Sequence, residues 1–224
     1  MPAILCFSLS VIMPFALGLF FKKRGAIKTG IVWGSLCALW MVLVGVLAAG
    51  GLLSDFSGLP PRPFFVLFPA LIAVISLSLS PPMAHVLTHT KPHELMGLQV
   101  FRLPVEIFLW LLFLQGHIPV QMTFEGYNWD ILTGIAGGLL FFLPQLARRK
   151  SVQWVFHGVG TLLLFNIVFI AITSMPTAFR LFMNEPANRI VVTFPFVFLP
   201  TVLVPIALFL HLLGWRYLVL SRDV

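Results

Sequence analysis

The sequence predicts an all-α integral membrane protein of seven transmembrane helices, with the N-terminus outside and the C-terminus inside. Three observations carry this. Of the 224 residues, 59% are hydrophobic and only 9% charged, with a mean hydropathy of +1.03; a soluble domain is about 25% charged. Apolar runs recur at approximately 3–21, 27–49, 64–80, 95–115, 130–146, 152–174 and 194–214, each long enough, or nearly so, to cross the ~30 Å hydrocarbon layer. Lys and Arg gather in alternate loops. Lys22, Lys23, Arg24, Lys28, Lys91, Arg148, Arg149, Lys150, Arg216 and Arg222 fall on one side, against Arg62, Arg180 and Arg189 on the other. Ten against three sets the orientation by the positive-inside bias.

Each run is read in order as a span. The first has no basic residues before it and is followed by "KKR", so it reads as a retained helix and not a cleaved leader. The fifth is the shortest. Cys6 and Cys37 lie in apolar runs without redox or zinc spacing and read as small buried hydrophobes. The formal charge of +7 is spread over short inter-span clusters, which excludes a nucleic-acid partner and leaves the lipid bilayer as the first one. The expected location is a bacterial inner membrane.

An internal repeat is also expected. Pro14/Pro144, Pro63/Pro195 and Pro69/Pro200 are each offset by about 130 residues, as two parallel copies of a three-helix unit would require. The whole chain, 1–224, then forms one membrane domain of 3+1+3 architecture. Residues 1–80 make the first bundle, 81–129 the linker, span 4 and an outer loop, and 130–224 the second bundle.

The stretch "FLPQLARRKSVQW" (142–154) resembles the PQ-loop signature: Pro-Gln in a span, then a basic loop ending in Lys-Ser. PQ-loop proteins include the SWEET sugar carriers and cystinosin. The resemblance implies a seven-helix 3+1+3 carrier whose span prolines bend during alternating access. Pro144, Gln145, Lys150 and Ser151 match the motif; the first copy has Phe15 where Gln is expected, and the spacing to Lys-Ser is short. Through "MTFEGYNWD" and "NEPANRIV" the whole chain also resembles a group of bacterial seven-helix membrane proteins, which implies no function.

Candidate chemistry begins in span 4. Arg102 and Glu106 are four residues apart in "FRLPVEIFLW", on one helix face and within ion-pairing reach. A charge in a span costs about 2.5–3.5 kcal/mol on insertion scales, so the two must face protein, a cavity or a partner subunit. They read equally as a substrate site or as a structural pair. Asn166, midway along span 6, and Gln145 complete the candidate substrate-binding set. Pro14, Pro69, Pro144 and Pro200 are candidate hinges, since each frees a carbonyl within a span. In the outer loop, Glu125, Asn128 and Asp130 accompany interfacial Tyr127 and Trp129; the two acids could form a cation-attracting mouth.

Five of six histidines fall towards the inner face: His85, His89, His93, His157 and His211. Three readings compete. His85 and His89 could share a metal; His157 and His211 could be axial ligands of haem b; or all sit hydrogen-bonded at the headgroup boundary. Covalent retinal is excluded, because every Lys lies in an inner loop. No nucleophile elbow is present, and nothing points to an enzyme. The leading expectation is a small-molecule carrier with alternating access between two three-helix bundles. Beside it stand a haem- or metal-binding redox or sensory protein, and a structural subunit or assembly factor that oligomerises or joins a membrane complex.

Overall fold

The computed structural model describes residues 1–220, so Arg222 of the basic count lies outside the described residues. These residues are helical with connecting turns, and no strand occurs among them. The helices are α1 (Pro2–Lys23), α2 (Ile27–Ala49), α3 (Phe64–Leu79), α4 (Pro81–Thr88), α5 (Pro92–Leu98), α6 (Arg102–Leu114), α7 (Ile131–Phe142), α8 (Pro144–Ala147), α9 (Lys150–Thr173) and α10 (Val204–Leu220). A 3-10 turn, Gln99–Phe101, joins α5 to α6, and a π turn, Leu199–Leu203, leads into α10.

Among the described residues, five segments are long and apolar enough to cross a membrane: α1, α2, α5 through α6, α9, and the π turn with α10. A sixth is α3 with α4 if the pair, bent by 59°, is taken as one. Large apolar side chains such as Ile4, Phe15, Ile31, Leu39, Phe65 and Leu162 point outward. A surface of that kind is solvated by lipid and not by water. The protein is therefore membrane-embedded and polytopic.

The expected fifth span differs from the rest. α7 has 12 residues, about 18 Å at 1.5 Å per residue, too short to cross alone. Its partner explains it. α7 runs antiparallel to α5: Gly134 faces Leu103, Gly137 meets Met96 O, and Phe141 lies over Gly97. An added Cβ on Gly137 would stand 2.5 Å from Met96 O, so only glycine permits this approach. α7 thus starts at the depth of Arg102, about 15 Å along the Pro92–Leu114 segment, and covers one half of the layer. The other half is filled by the 115–130 loop, whose Ile118, Met122, Thr123 and Asn128 are buried. Irregular backbone at this depth is tolerated because protein surrounds it.

The prolines have unequal settings. Pro14 and Pro69 lie inside unbroken helices. Pro144 opens the short α8 after a break at Leu143, and Pro200 sits in the π turn. α1 packs on α2 and α6, while α3 packs on α10. Trp33 of α2 donates to Pro14 O at 3.1 Å. At the basic end, Arg24 is buried; it pairs with Glu94 (2.9 Å), donates to Thr90 Oγ1 (2.8 Å) and stacks on Phe20.

Candidate functional site: a buried polar chain beside an apolar cavity

Arg102 opens α6 at mid-depth and is 2% exposed. Its nearest acid in sequence is Glu106, but its ion-pair partner is Asp130. Nε donates to Asp130 Oδ2 at 2.6 Å, and Nη2 pairs with Oδ1. This two-point geometry matches a planar guanidinium to a carboxylate. Asp130 precedes the first residue of α7, where a carboxylate also suits the positive end of the helix dipole. The expected Arg102–Glu106 pair is thus replaced by a contact across 28 residues, because the loop folds down and carries Asp130 to the guanidinium.

The third arm of Arg102, Nη1, reaches His211 Nε2 at 3.0 Å. Arginine has no acceptor, so His211 Nε2 accepts and the ring proton sits on Nδ1. That nitrogen lies 3.2 Å from His157 Nδ1 and donates to it. The rings meet edge-on with centroids 5.5 Å apart. Gly160 backs His211 and Gly214 backs His157; a Cβ on Gly214 would come within 2.1 Å of the His157 ring. On the other side, Asn128 Nδ2 donates to Glu106 Oε2 (2.6 Å) and to Met122 O (3.1 Å), and Asn128 Oδ1 accepts from the Asp130 backbone N–H (3.1 Å). One continuous polar chain results: His157, His211, Arg102, Asp130, Asn128, Glu106.

Both histidines are buried, away from the headgroup boundary. The reason is that α10 continues to Leu220, past the expected end at 214, and seats His211 about 14 Å from its last residue. Arg216 anchors that extension by donating to Ser78 O (2.6 Å) in the last turn of α3 and to Ser80 O (2.7 Å) just past it. His157 and His211 do not fit the haem expectation: the rings touch each other and are walled by glycines, leaving no space for a porphyrin between them. The His85 and His89 rings lie tilted by 53° with centroids 4.8 Å apart, and His89 Nδ1 lies 3.1 Å from His85 O. Among the described residues, no group of three or more His, Cys, Asp or Glu is placed to hold a metal ion.

Arg102, Glu106 and Asp130 form the polar edge of a cavity of about 90 Å³. Its remaining wall is mainly apolar and comes from α3, α6, α9, the π turn and α10, with Val105, Leu164, Ile167 and Ala207 among the contributors. A single water needs about 10–15 Å³ by the same measure, so several waters or a small organic group fit. The π turn supplies Leu199, Pro200 and Thr201 to this wall; such turns often mark functional sites.

The other expected site residues lie elsewhere. Asn166 is half-buried and donates to Tyr127 O at 2.8 Å, holding α9 to the descending loop. Gln145 is exposed on α8. Glu125 accepts from Trp110 Nε1 at 2.7 Å. Asp130, Asn128 and His211 were not joined to Arg102 by sequence reasoning. The usable signal was Asp130 directly before an apolar run, as an N-terminal acid would be.

No curated protein and no solved structure matches the chain. The model of a domain of unknown function, DUF8737, matches residues 60–219, from the approach to α3 to the last turn of α10, and the chain belongs to that family.

Proposed function

We propose that the protein is a small-molecule carrier of the cytoplasmic membrane of a bacterium, and that the mid-depth cavity is its substrate site. The observation that carries this is the meeting, at one depth, of an apolar cavity, three charged side chains, a half-length helix and a π turn. A half-helix starting at mid-membrane directs its N-terminal dipole at the site. Broken helices can also rearrange locally without parting a whole bundle. α7 with the 115–130 loop serves as the seventh crossing. The basic clusters at 22–28, 91 and 148–150 would face the cytoplasm, putting the N-terminus outside and the C-terminus inside.

The moving parts in this reading are α7 and the π turn. A rocking of residues 1–80 against 130–224 would have to separate α3 from α10, which pack together. The 130-residue proline offset carries no weight here, since Pro14 and Pro144 have different settings.

The test needs no substrate. Val105→Cys and Leu164→Cys, each with Cys6 and Cys37 replaced by Ala, are labelled in oriented vesicles with a membrane-impermeant maleimide. Alternating access exposes the cavity wall to reagent from each side. Labelling from neither side, or from one side only under every condition, would overturn the carrier reading.

A further inference from the structure

The charge count around the cavity is uneven. Arg102 commits Nε and Nη2 to Asp130 and Nη1 to His211. Glu106, 1% exposed, is left with the Asn128 amide as its hydrogen-bond partner among the described residues. Two carboxylates thus share one guanidinium, and that guanidinium faces the other carboxylate.

A second observation comes from the opposite segment. Asn188, between α9 and the π turn, is 0% exposed and also lines the cavity. Its Nδ2 donates to Ala171 O at 3.0 Å and its backbone N–H to Ser174 O at 2.8 Å. Its Oδ1 is buried without a hydrogen-bond partner. A buried acceptor left unpaired is destabilising, so a guest that donates to it is favoured. Thr201, on the same wall, spends its hydroxyl proton on Val197 O at 2.7 Å.

The cavity edge therefore carries one more carboxylate than guanidinium, and an unpaired acceptor across from them, with apolar walls around. An anion would meet two carboxylates against a single guanidinium already paired with one of them. A purely apolar guest would leave the Glu106 carboxylate and Asn188 Oδ1 unmet. We infer that the cavity takes a small organic cation bearing N–H donors and a short apolar body, an alkylammonium or alkylguanidinium, with its charge on Glu106 and an N–H turned to Asn188 Oδ1. This deepens the carrier reading and rests on it for passage of the cation between the two faces.

The test is calorimetric titration of the full chain in detergent micelles with three probes. Ethylguanidinium carries charge and N–H donors, tetramethylammonium carries charge alone, and propionate is the anionic counterpart. The expected order is ethylguanidinium first, tetramethylammonium at least about tenfold weaker, and propionate not bound. Glu106→Gln, checked for unchanged melting, should weaken ethylguanidinium by about tenfold or more. If that variant does not fold, the probe order in the unaltered protein decides. Ethylguanidinium binding no better than propionate, absent at millimolar concentration, or unchanged in folded Glu106→Gln overturns the inference. Vesicle uptake separates it from the carrier reading. Glu106-dependent binding without flux keeps the cation site and sinks the carrier. Flux of propionate with no cation binding does the reverse.

Discussion

Replacing Asp130 by Ala tests the centre of the polar chain. The change removes both acceptors facing Arg102 Nε and Nη2 and leaves a guanidinium, 2% exposed, with His211 as its one remaining hydrogen-bond partner among the described residues. Breaking a buried ion pair from one side costs about 3–5 kcal/mol. At about 2–4 °C per kcal/mol for a chain of this size, the melting temperature should fall by roughly 6–20 °C. The assay is thermal unfolding in detergent micelles, followed by the fluorescence of the six tryptophans. The double variant Arg102→Met/Asp130→Ala discriminates the cause. It removes the stranded charge and should recover most of the loss, because an apolar replacement of a whole pair is often neutral. An Asp130→Ala protein that melts with the unaltered one, or a double variant whose loss equals the sum of the two single losses, would refute the reasoning.

Further outcomes follow from other contacts. Gly214→Ala drives a methyl into the His157 ring and should cost about 1–3 kcal/mol by overpacking; adding His157→Ala should restore part of it in the same melting assay. In the loop after α9, the hydrogen bond from Arg180 and that from the Ala187 N–H hold the Glu185 carboxyl below its ordinary value of 4.5. A lowered native value means the loop's stabilisation is complete above that ordinary value and is lost as pH falls through the lower one. The amide-exchange protection of Ala187 should therefore drop on acidification; protection as insensitive to pH as in Glu185→Gln would contradict this. His117→Cys, just past the outer end of α6, and Gln145→Cys, past the other end of α7, should label from opposite faces of oriented vesicles once Cys6 and Cys37 are replaced. Labelling from the same face would mean that α7 does not complete a crossing.

Much of this architecture is legible in the sequence, and the reason is physical. Lipid demands long apolar helices, so α1, α2, α9 and the Pro92–Leu114 segment stand out by composition alone. The Arg102 anomaly is equally visible, since a guanidinium in a span needs a partner. Its partner is not visible, because helix periodicity offers Glu106 and gives no means of knowing that a loop re-enters the layer. Asp130 therefore read as an outer-loop acid. His211 was misplaced for a related reason: Trp215, Arg216 and Tyr217 look like an interfacial boundary, yet Arg216 is spent on Ser78 O and Ser80 O and the helix runs on. Asn166 read as a possible ligand contact but serves the Tyr127 carbonyl. The cavity arises from segments far apart in the chain, from α3 to α10, and only folding brings them together.

The pairing of α7 with α5 also constrains how the chain enters the membrane. A 12-residue apolar helix gains too little from lipid to partition alone, and it drags the Asp130 carboxylate behind it. The Pro92–Leu114 segment carries the opposite liability, Arg102. Each charge entered singly costs about 2.5–3.5 kcal/mol on insertion scales, but entered as a closed hairpin the two arrive as a neutral pair. Gly134 and Gly137 let that hairpin close backbone to backbone. The neutral unit in this region is thus the pair of helices and not either one alone.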